Sequence, residues 1–176
     1  MVSAALLERA AGIRLAAFDV DGVLTDGRLY YADSGEESKA FSTLDGHGLK
    51  LLMGESVRVA LITARTSRLL EERARNLGVE LLFQGCADKA AALSGLLREL
   101  RLDAAQAGYM GDDAVDLPAL RLAGLALTVP SAPAAVRRAA HYVTRRGGGR
   151  GAVREACELL LLARDRLDAA LTRTGP

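Results

Sequence analysis

The sequence predicts an α/β protein: a three-layer, doubly wound, mostly parallel sheet with a β-hairpin insertion and no large cap. Three observations predict it. Short apolar runs alternate with amphipathic helical patterns, the signature of a parallel α/β sheet. The run Val59-Ala60-Leu61-Ile62 is apolar throughout, as a strand covered on both faces must be. Only two stretches, residues 27–43 and the tail, depart from the alternation.

In chain order, strands are expected at residues 14–18, 57–63, 79–83, 105–110, 125–129 and 141–143. Helices are expected between them at 46–53, 67–77, 87–100, 115–123 and 132–139. Right-handed crossovers then cover both faces of the sheet. Residues 27–43 read as a hairpin: Leu29-Tyr30-Tyr31, a turn at Asp33-Ser34-Gly35, and a return through Lys39-Ala40-Phe41. In the tail, Gly147 to Gly151 read as a mobile joint before one long helix over 152–171. Its apolar stripe is Val153, Ala156, Leu160, Ala163, Leu167 and Ala170. Hairpin and tail helix are the expected places for subunit contacts. With 176 residues, the whole of 1–176 is expected to form one domain around one core.

Composition narrows the function. The formal charge is +1, from 23 basic and 22 acidic residues, so no broad field draws nucleic acid or anionic lipid. Twenty of the basic residues are arginines scattered along the chain near acids, which reads as a solvated surface. The longest uncharged stretch, 122–136, contains Pro130 and Pro133 and falls short of the ~20 apolar residues that span a bilayer. Glu8 and Arg9 stand where a secretory leader needs an apolar run. Neither a nucleic-acid nor a membrane partner is expected, and a cytoplasmic setting is. Cys86 and Cys157 are too few and too far apart for a disulfide framework or zinc site, and read as buried, inert thiols.

The chemistry sits where the strands end. Asp19 and Asp21 follow the first strand, and ligands of open α/β sheets bind beyond the strands' carboxyl ends. Two carboxylates this close call for a cation or a shared proton, although acids after strands are also common turn residues. Thr63 ends the second core strand with a hydroxyl suited to a phosphoryl oxygen. Lys89 is one of three lysines and opens a helix after the third strand, where a compact point charge fits. Gly111-Asp112-Asp113 ends the fourth strand, with Asp116 one helical turn on.

Together these residues make a workable phosphoryl-transfer site. Hard carboxylates suit Mg²⁺: Asp19 and Asp112 as side-chain ligands, Asp21 through its carbonyl, with Asp113 and Asp116 orienting them from behind. Asp19 is the expected nucleophile and Asp21 the general acid and base. Lys89 and the metal neutralise charge between carboxylate and phosphate.

The run from Asp19 to Asp26, the Thr63 strand end, Lys89 and Gly111-Asp112-Asp113 resemble the four motifs of the haloacid dehalogenase superfamily, whose core is Rossmann-like. Within it the chain is most similar to the 3-deoxy-D-manno-octulosonate 8-phosphate phosphatase family. That likeness rests on Gly35-Glu36-Glu37, Lys39-Ala40-Phe41, Asp45-Gly46, Ile62 to Arg65, and the tail from Tyr142 to Glu155. It implies a capless homotetramer that hydrolyses an eight-carbon sugar-acid phosphate in lipopolysaccharide biosynthesis. The hairpins would build a central barrel, and a neighbouring subunit would cover each site. It also implies substrate contacts from Ser42, Thr43, Leu44, Asp45, Gly46, Lys50, Arg65 and Arg73. Arg65, at a strand end, can grip a carboxylate or phosphate on its own physical merits. Arg73 flanks an apolar stripe and reads equally as a surface or an inward-reaching arginine.

Two departures bear on substrate. Leu44 stands where that family carries an arginine, and Ala64 replaces a glycine. A nine-carbon sugar-acid phosphate is therefore the alternative within the same chemistry. His47 reads as a loop hydrogen-bonder or a substrate contact, and His141 as a structural histidine. From other classes, a catalytically silent relative would have lost Asp19 or Asp21. A signalling receiver domain would need an acid after the third strand, where Phe83-Gln84-Gly85 has none.

Overall fold

A computed structural model describes residues 2–173. The chain opens with a helix that the strand-and-helix alternation does not announce, α1 (Ala4–Ala11), whose Ser3 cap accepts the Leu6 N–H. Then follow β1 (Leu15–Phe18), the hairpin strands β2 (Tyr30–Tyr31) and β3 (Glu37–Ser38), α2 (Thr43–Gly54), β4 (Arg58–Ile62), α3 (Arg68–Leu77), β5 (Leu81–Phe83) and α4 (Lys89–Leu100). The second half runs β6 (Ala107–Met110), α5 (Leu117–Leu122), β7 (Leu125–Thr128), α6 (Ala134–Ala139), β8 (Tyr142–Val143), α7 (Ala152–Ala163) and α8 (Leu167–Thr172).

The main sheet has six parallel strands in the order β5-β4-β1-β6-β7-β8. Strand β1 lies at its centre, with Phe18 in register between Leu61 of β4 and Met110 of β6. All three side chains are fully buried, each contributing about 1.5–3 kcal/mol. Helices α1, α2 and α7 pack together as one layer, and α4, α5 and α6 group as the other. The strand order reverses direction at β1, which makes its carboxyl end the crevice of the sheet.

Three expectations need correction. The return strand of the hairpin is Glu37–Ser38, not residues 39–41, because Tyr30 pairs with Ser38 and Tyr31 with Glu37. Gly35 takes φ +82° at its turn, where the Ala32 carbonyl accepts the Gly35 N–H. That register carries Lys39 past the ladder and into the molecule.

The tail is two helices, not one. Asp165 adopts φ 54° between α7 and α8, and the break is held by Glu55. Its carbonyl accepts from Arg164 (3.3 Å) and its carboxylate from Arg166 (2.7 Å). The inner face of α7 is core: Val153, Ala156, Cys157 and Leu160 are fully buried. Residues 174–176 of the expected tail lie outside the described residues.

Nor is the glycine stretch a mobile joint. The Gly149 N–H donates to the Val23 carbonyl (3.0 Å), and a Cβ on Gly148 would land on the Gly22 carbonyl oxygen. Gly148 and Gly149 are there for close approach to the Asp19–Asp26 loop. Among the described residues no helix is long and apolar enough to cross a membrane.

Candidate active site

Each strand of the sheet's centre delivers a polar residue within two steps of its end. Asp19 follows Phe18, and its N–H still donates to the Met110 carbonyl (2.8 Å), so its position is set by the ladder. Thr63 is fixed likewise, its N–H on the Phe83 carbonyl at 2.9 Å. Lys89 is the first residue of α4, whose Asp88 cap accepts the Ala91 N–H. Asp112 and Asp113 follow Gly111 at the end of β6. A crevice of about 280 Å³ is lined by Asp19, Asp21, Gly27, Thr63, Ala64, Arg65, Lys89, Asp112, Asp113 and Val115.

The floor of the crevice is a buried charge cluster. Lys89 Nζ lies 2.8 Å from Asp19 and 2.7 Å from Asp116. Asp116 is fully buried and has both oxygens engaged. Oδ1 accepts from Lys89 and from the Tyr109 hydroxyl (2.8 Å), and Oδ2 accepts from the Asp112 and Asp113 N–H groups (3.0 and 3.1 Å). Asp116 therefore orients its neighbours. A Cβ on Gly111 would strike it, so that position must be glycine.

Burial and the Asp116 charge raise Asp19 to about 7, against the opposing pull of Lys89. Burial, then Asp116 and Asp113, raise Asp112 to about 6. Lys89 is itself held above its usual value: burial lowers it, but the Asp19 and Asp116 charges outweigh that. Carboxylate oxygens of Asp19, Asp112 and Asp116 lie within 4.8 Å of one another. Gly22, at φ +92°, is the wall against which the Asp112 carboxylate rests. Hard oxygen donors crowded together with elevated pKa values fit a small divalent cation.

Asp21 stands apart from these three. Its carboxylate contacts Lys39, and its other oxygen is 3.8 Å from Arg65 Nε. Any ligand role for Asp21 is thus left to its main-chain carbonyl. Thr63 is buried and accepts the Arg65 N–H at 3.2 Å. Arg65 also donates to Glu37 (2.9 Å) and to the Tyr31 hydroxyl (3.4 Å).

The segment carried over from family likeness behaves differently. Asp45 is completely buried, its carboxylate accepting the Gly151 and Arg154 N–H groups at the start of α7 (3.1 and 2.8 Å). Gly46 is buried against Arg73 and Leu77. Residues 43–46 are the first turn of α2, and that turn is packed on two sides, Asp45 against the start of α7 and Gly46 against α3. Arg73 reaches inward, donating to the Ser42 carbonyl at 3.0 Å and lying 5.7 Å over the Phe41 ring. Ser42 caps α2 by accepting the Asp45 N–H. Thr43, Leu44 and Lys50 are exposed on α2. None of these seven residues lines the crevice within this chain.

His141 Nδ1 accepts the Ala126 N–H at 2.9 Å, the structural role its position suggested, and His47 contacts Arg154. Sequence reasoning passed over Lys39 and Glu37 as site residues, although both lie in segments it singled out. It also passed over Tyr109, whose polar tip inside an apolar strand was the available signal.

Comparison with known proteins decides the family. A 3-deoxy-D-manno-octulosonate 8-phosphate phosphatase of Yersinia pestis is 47% identical over 165 residues, covering 94% of this chain and 88% of that one. A family model described as haloacid dehalogenase-like hydrolase matches residues 82–153. The chain belongs to the haloacid dehalogenase-like hydrolases.

Solved structures of this hydrolase family agree in shape. The 3-deoxy-D-manno-octulosonate 8-phosphate phosphatase of Moraxella catarrhalis, in complex with magnesium, phosphate and KDO, superposes with a TM-score of 0.95 at 40% identity, covering 97% of this chain and 98% of that one. The cobalt-bound form of the Haemophilus influenzae deoxy-D-mannose-octulosonate 8-phosphate phosphatase gives 0.89 at 36% identity, covering 94% and 99%.

Proposed function

We propose that this chain, acting as one domain, is a Mg²⁺-dependent phosphatase that hydrolyses 3-deoxy-D-manno-octulosonate 8-phosphate. The observation that carries the reading is the convergence of Asp19, Asp21, Thr63, Lys89 and Asp112 on one crevice. The 47% identity to a phosphatase of that name supports the substrate.

Asp19 and Asp112 would hold the metal through their carboxylates, with the Asp21 carbonyl; bound there, it would supply positive charge beside the phosphate. Lys89 keeps Asp19 oriented and offsets its charge as a phosphate dianion approaches. Thr63 offers its hydroxyl to a phosphoryl oxygen. An Asp19 oxygen forms a bond to phosphorus as the bond from phosphorus to the sugar oxygen breaks. Asp21 gives its proton to the departing alkoxide. Water then attacks the phosphorus of the aspartyl-phosphate, Asp21 takes a proton from it, and inorganic phosphate leaves with Asp19 restored.

The substrate's sugar-acid end extends past the rim toward Arg65. Ser42, Thr43, Leu44, Lys50 and Arg73 lie beyond the crevice of one chain, so any contact they make requires a second copy. A homotetramer supplies that copy, in keeping with Tyr30 and Tyr31, and Leu29 just before them, standing exposed at a two-residue ladder that is marginal by itself in water. We place the enzyme in the cytoplasm, a setting that suits the free thiols Cys86 and Cys157.

Steady-state phosphate release with Mg²⁺, from eight- and nine-carbon sugar-acid phosphates, tests the reading beside Asp19→Asn. Asp19-dependent turnover highest on the eight-carbon substrate is expected. Preference for the nine-carbon substrate would move the assignment to that one, and no turnover on either would remove the activity.

A further inference from the structure

Lys39 is an anomaly for a hairpin residue. The hairpin around it is exposed, and a lysine there ordinarily runs its stem along the surface and leaves its ammonium in water. Instead the Lys39 side chain is 3% exposed, folded inward between Asp21 and Glu37. Burying an ammonium carries a desolvation cost, offset here by two carboxylates. Its Nζ contacts Asp21 Oδ1 and lies 3.4 Å from Glu37 Oε1. Arg65 closes the circuit, 2.9 Å from Glu37 Oε2 and 3.8 Å from Asp21 Oδ2. Four side chains from three separate segments thus form a ring of alternating charge, with Asp21 as its member on the β1 loop.

We propose that Lys39 is the positioning residue for Asp21. The inference rests on the reading above, in which Asp21 gives its proton to the leaving alkoxide. A general acid works only when one oxygen is aimed at the atom it protonates. Lys39 occupies Oδ1, whereas the 3.8 Å from Arg65 to Oδ2 is too long for a hydrogen bond. Oδ2 is therefore the oxygen that carries and transfers the proton, and Lys39 keeps the carboxylate from rotating out of that orientation. A direct substrate contact is a poor fit for Lys39. Its ammonium is enclosed by two carboxylates, and it is absent from the crevice lining that includes Asp21 and Arg65. Nor does the hairpin merely need a charge to fold: its ladder pairs Tyr30 with Ser38 and Tyr31 with Glu37, without Lys39.

The test is the dependence of kcat/KM on the leaving group, measured with Mg²⁺ and a series of substituted phenyl phosphates on the full chain. These substrates lack a carboxylate, so a lost sugar-acid contact cannot imitate the effect. The ratio kcat/KM ends at leaving-group departure, so later hydrolysis of the aspartyl-phosphate does not enter. A good leaving group needs no proton, and a poor one does. For Lys39→Met the slope against leaving-group pKa is expected to steepen. On the poorest leaving group the loss is about 10²-fold, and on the best less than about tenfold. Asp21→Asn, run beside it, is expected to steepen the slope at least as much. A structural role for Lys39 would lower the whole line without tilting it.

If Asp21→Asn steepens the slope while Lys39→Met shifts the line in parallel or leaves it unmoved, this inference is overturned and the role of Asp21 survives. If Asp21→Asn itself leaves the slope unchanged, the underlying reading fails, and this inference with it. Lys39→Gln, shorter and uncharged, takes the place of Lys39→Met should that variant not give folded protein by circular dichroism, with the same slope expected.

Discussion

Two lysines in this molecule do similar things in unlike surroundings. Lys89 bridges Asp19 and Asp116, and Lys39 bridges Asp21 and Glu37. Both side chains are almost wholly buried. Lys89 is rooted in α4 against the core, and Asp116, its far anchor, is fully enclosed with four donors. Lys39 is rooted just past a two-residue ladder, and both its carboxylates remain about a fifth exposed. Asp19, the proposed nucleophile, is thus held by the rigid frame, and Asp21, the proposed proton donor, by an appendage. Both carboxylates have to be aimed, and the two mounts differ in how much of the core does the aiming.

The first way to break that contrast is to remove each ammonium in the metal-free protein and compare stability by urea titration. Lys89→Met leaves Asp19 and Asp116 buried without their cation and is expected to cost about 3–5 kcal/mol. Lys39→Met, with water able to reach both acids, is expected to cost no more than about 1–2 kcal/mol. Equal losses would mean that the hairpin is as rigid a mount as the core.

The glycine stretch sharpens the picture of the frame. Gly148→Ala pushes a methyl group into the Gly22 carbonyl and is expected to cost about 1–3 kcal/mol, along with activity, since Gly22 walls Asp112. Gly147→Ala, with nothing within 4 Å, is expected to stay within about 0.5 kcal/mol. Matching losses at both positions would mean that the brace is not specific.

Glu155 anchors the same segment by accepting the Arg145 and Arg146 N–H groups and the Tyr142 hydroxyl. Burial pushes its carboxyl up, but the Arg145 N–H and the other donors outweigh that, leaving it below 4.5. A depressed carboxyl contributes stability above its unfolded value and loses it as pH falls through the folded one. Glu155→Gln is expected to cost about 1.5–3 kcal/mol at neutral pH and to flatten the loss below pH 4.5.

The smallest effect is at His141. Burial and the Arg9 charge hold its pKa below 6.5, and Nδ1 must stay unprotonated to accept the Ala126 N–H. Stability is expected to fall by less than about 1 kcal/mol as pH drops below 6.5, and His141→Asn should remove that dependence.

The frame is legible in the sequence for a physical reason. A strand buried on both faces must be apolar, so the polar residue that ends it is conspicuous. Asp19, Thr63 and Asp112 each stand out against an apolar run in this way. What stayed hidden depends on contacts distant in sequence. Asp45 reads as a loop acid until Gly151, more than a hundred residues on, is seen to donate to it. The break at Asp165 carries no glycine or proline, and its cause, Glu55, lies elsewhere in the chain. Gly147 to Gly151 mislead because glycine serves both freedom and close approach, and only packing tells which. Lys39 could not be placed without the hairpin register, since a shift of two residues decides whether it belongs to the ladder or reaches Asp21.

The most direct test of the central claim is to trap the covalent intermediate. The protein, mixed with Mg²⁺ and sugar-acid phosphate, is quenched in acid during turnover and its peptides are analysed by mass spectrometry. One phosphoryl group on Asp19 is expected, absent when Asp19→Asn is treated in the same way. Turnover that continues in Asp19→Asn, or a phosphoryl group found on another residue, would contradict the assignment of Asp19 as the nucleophile.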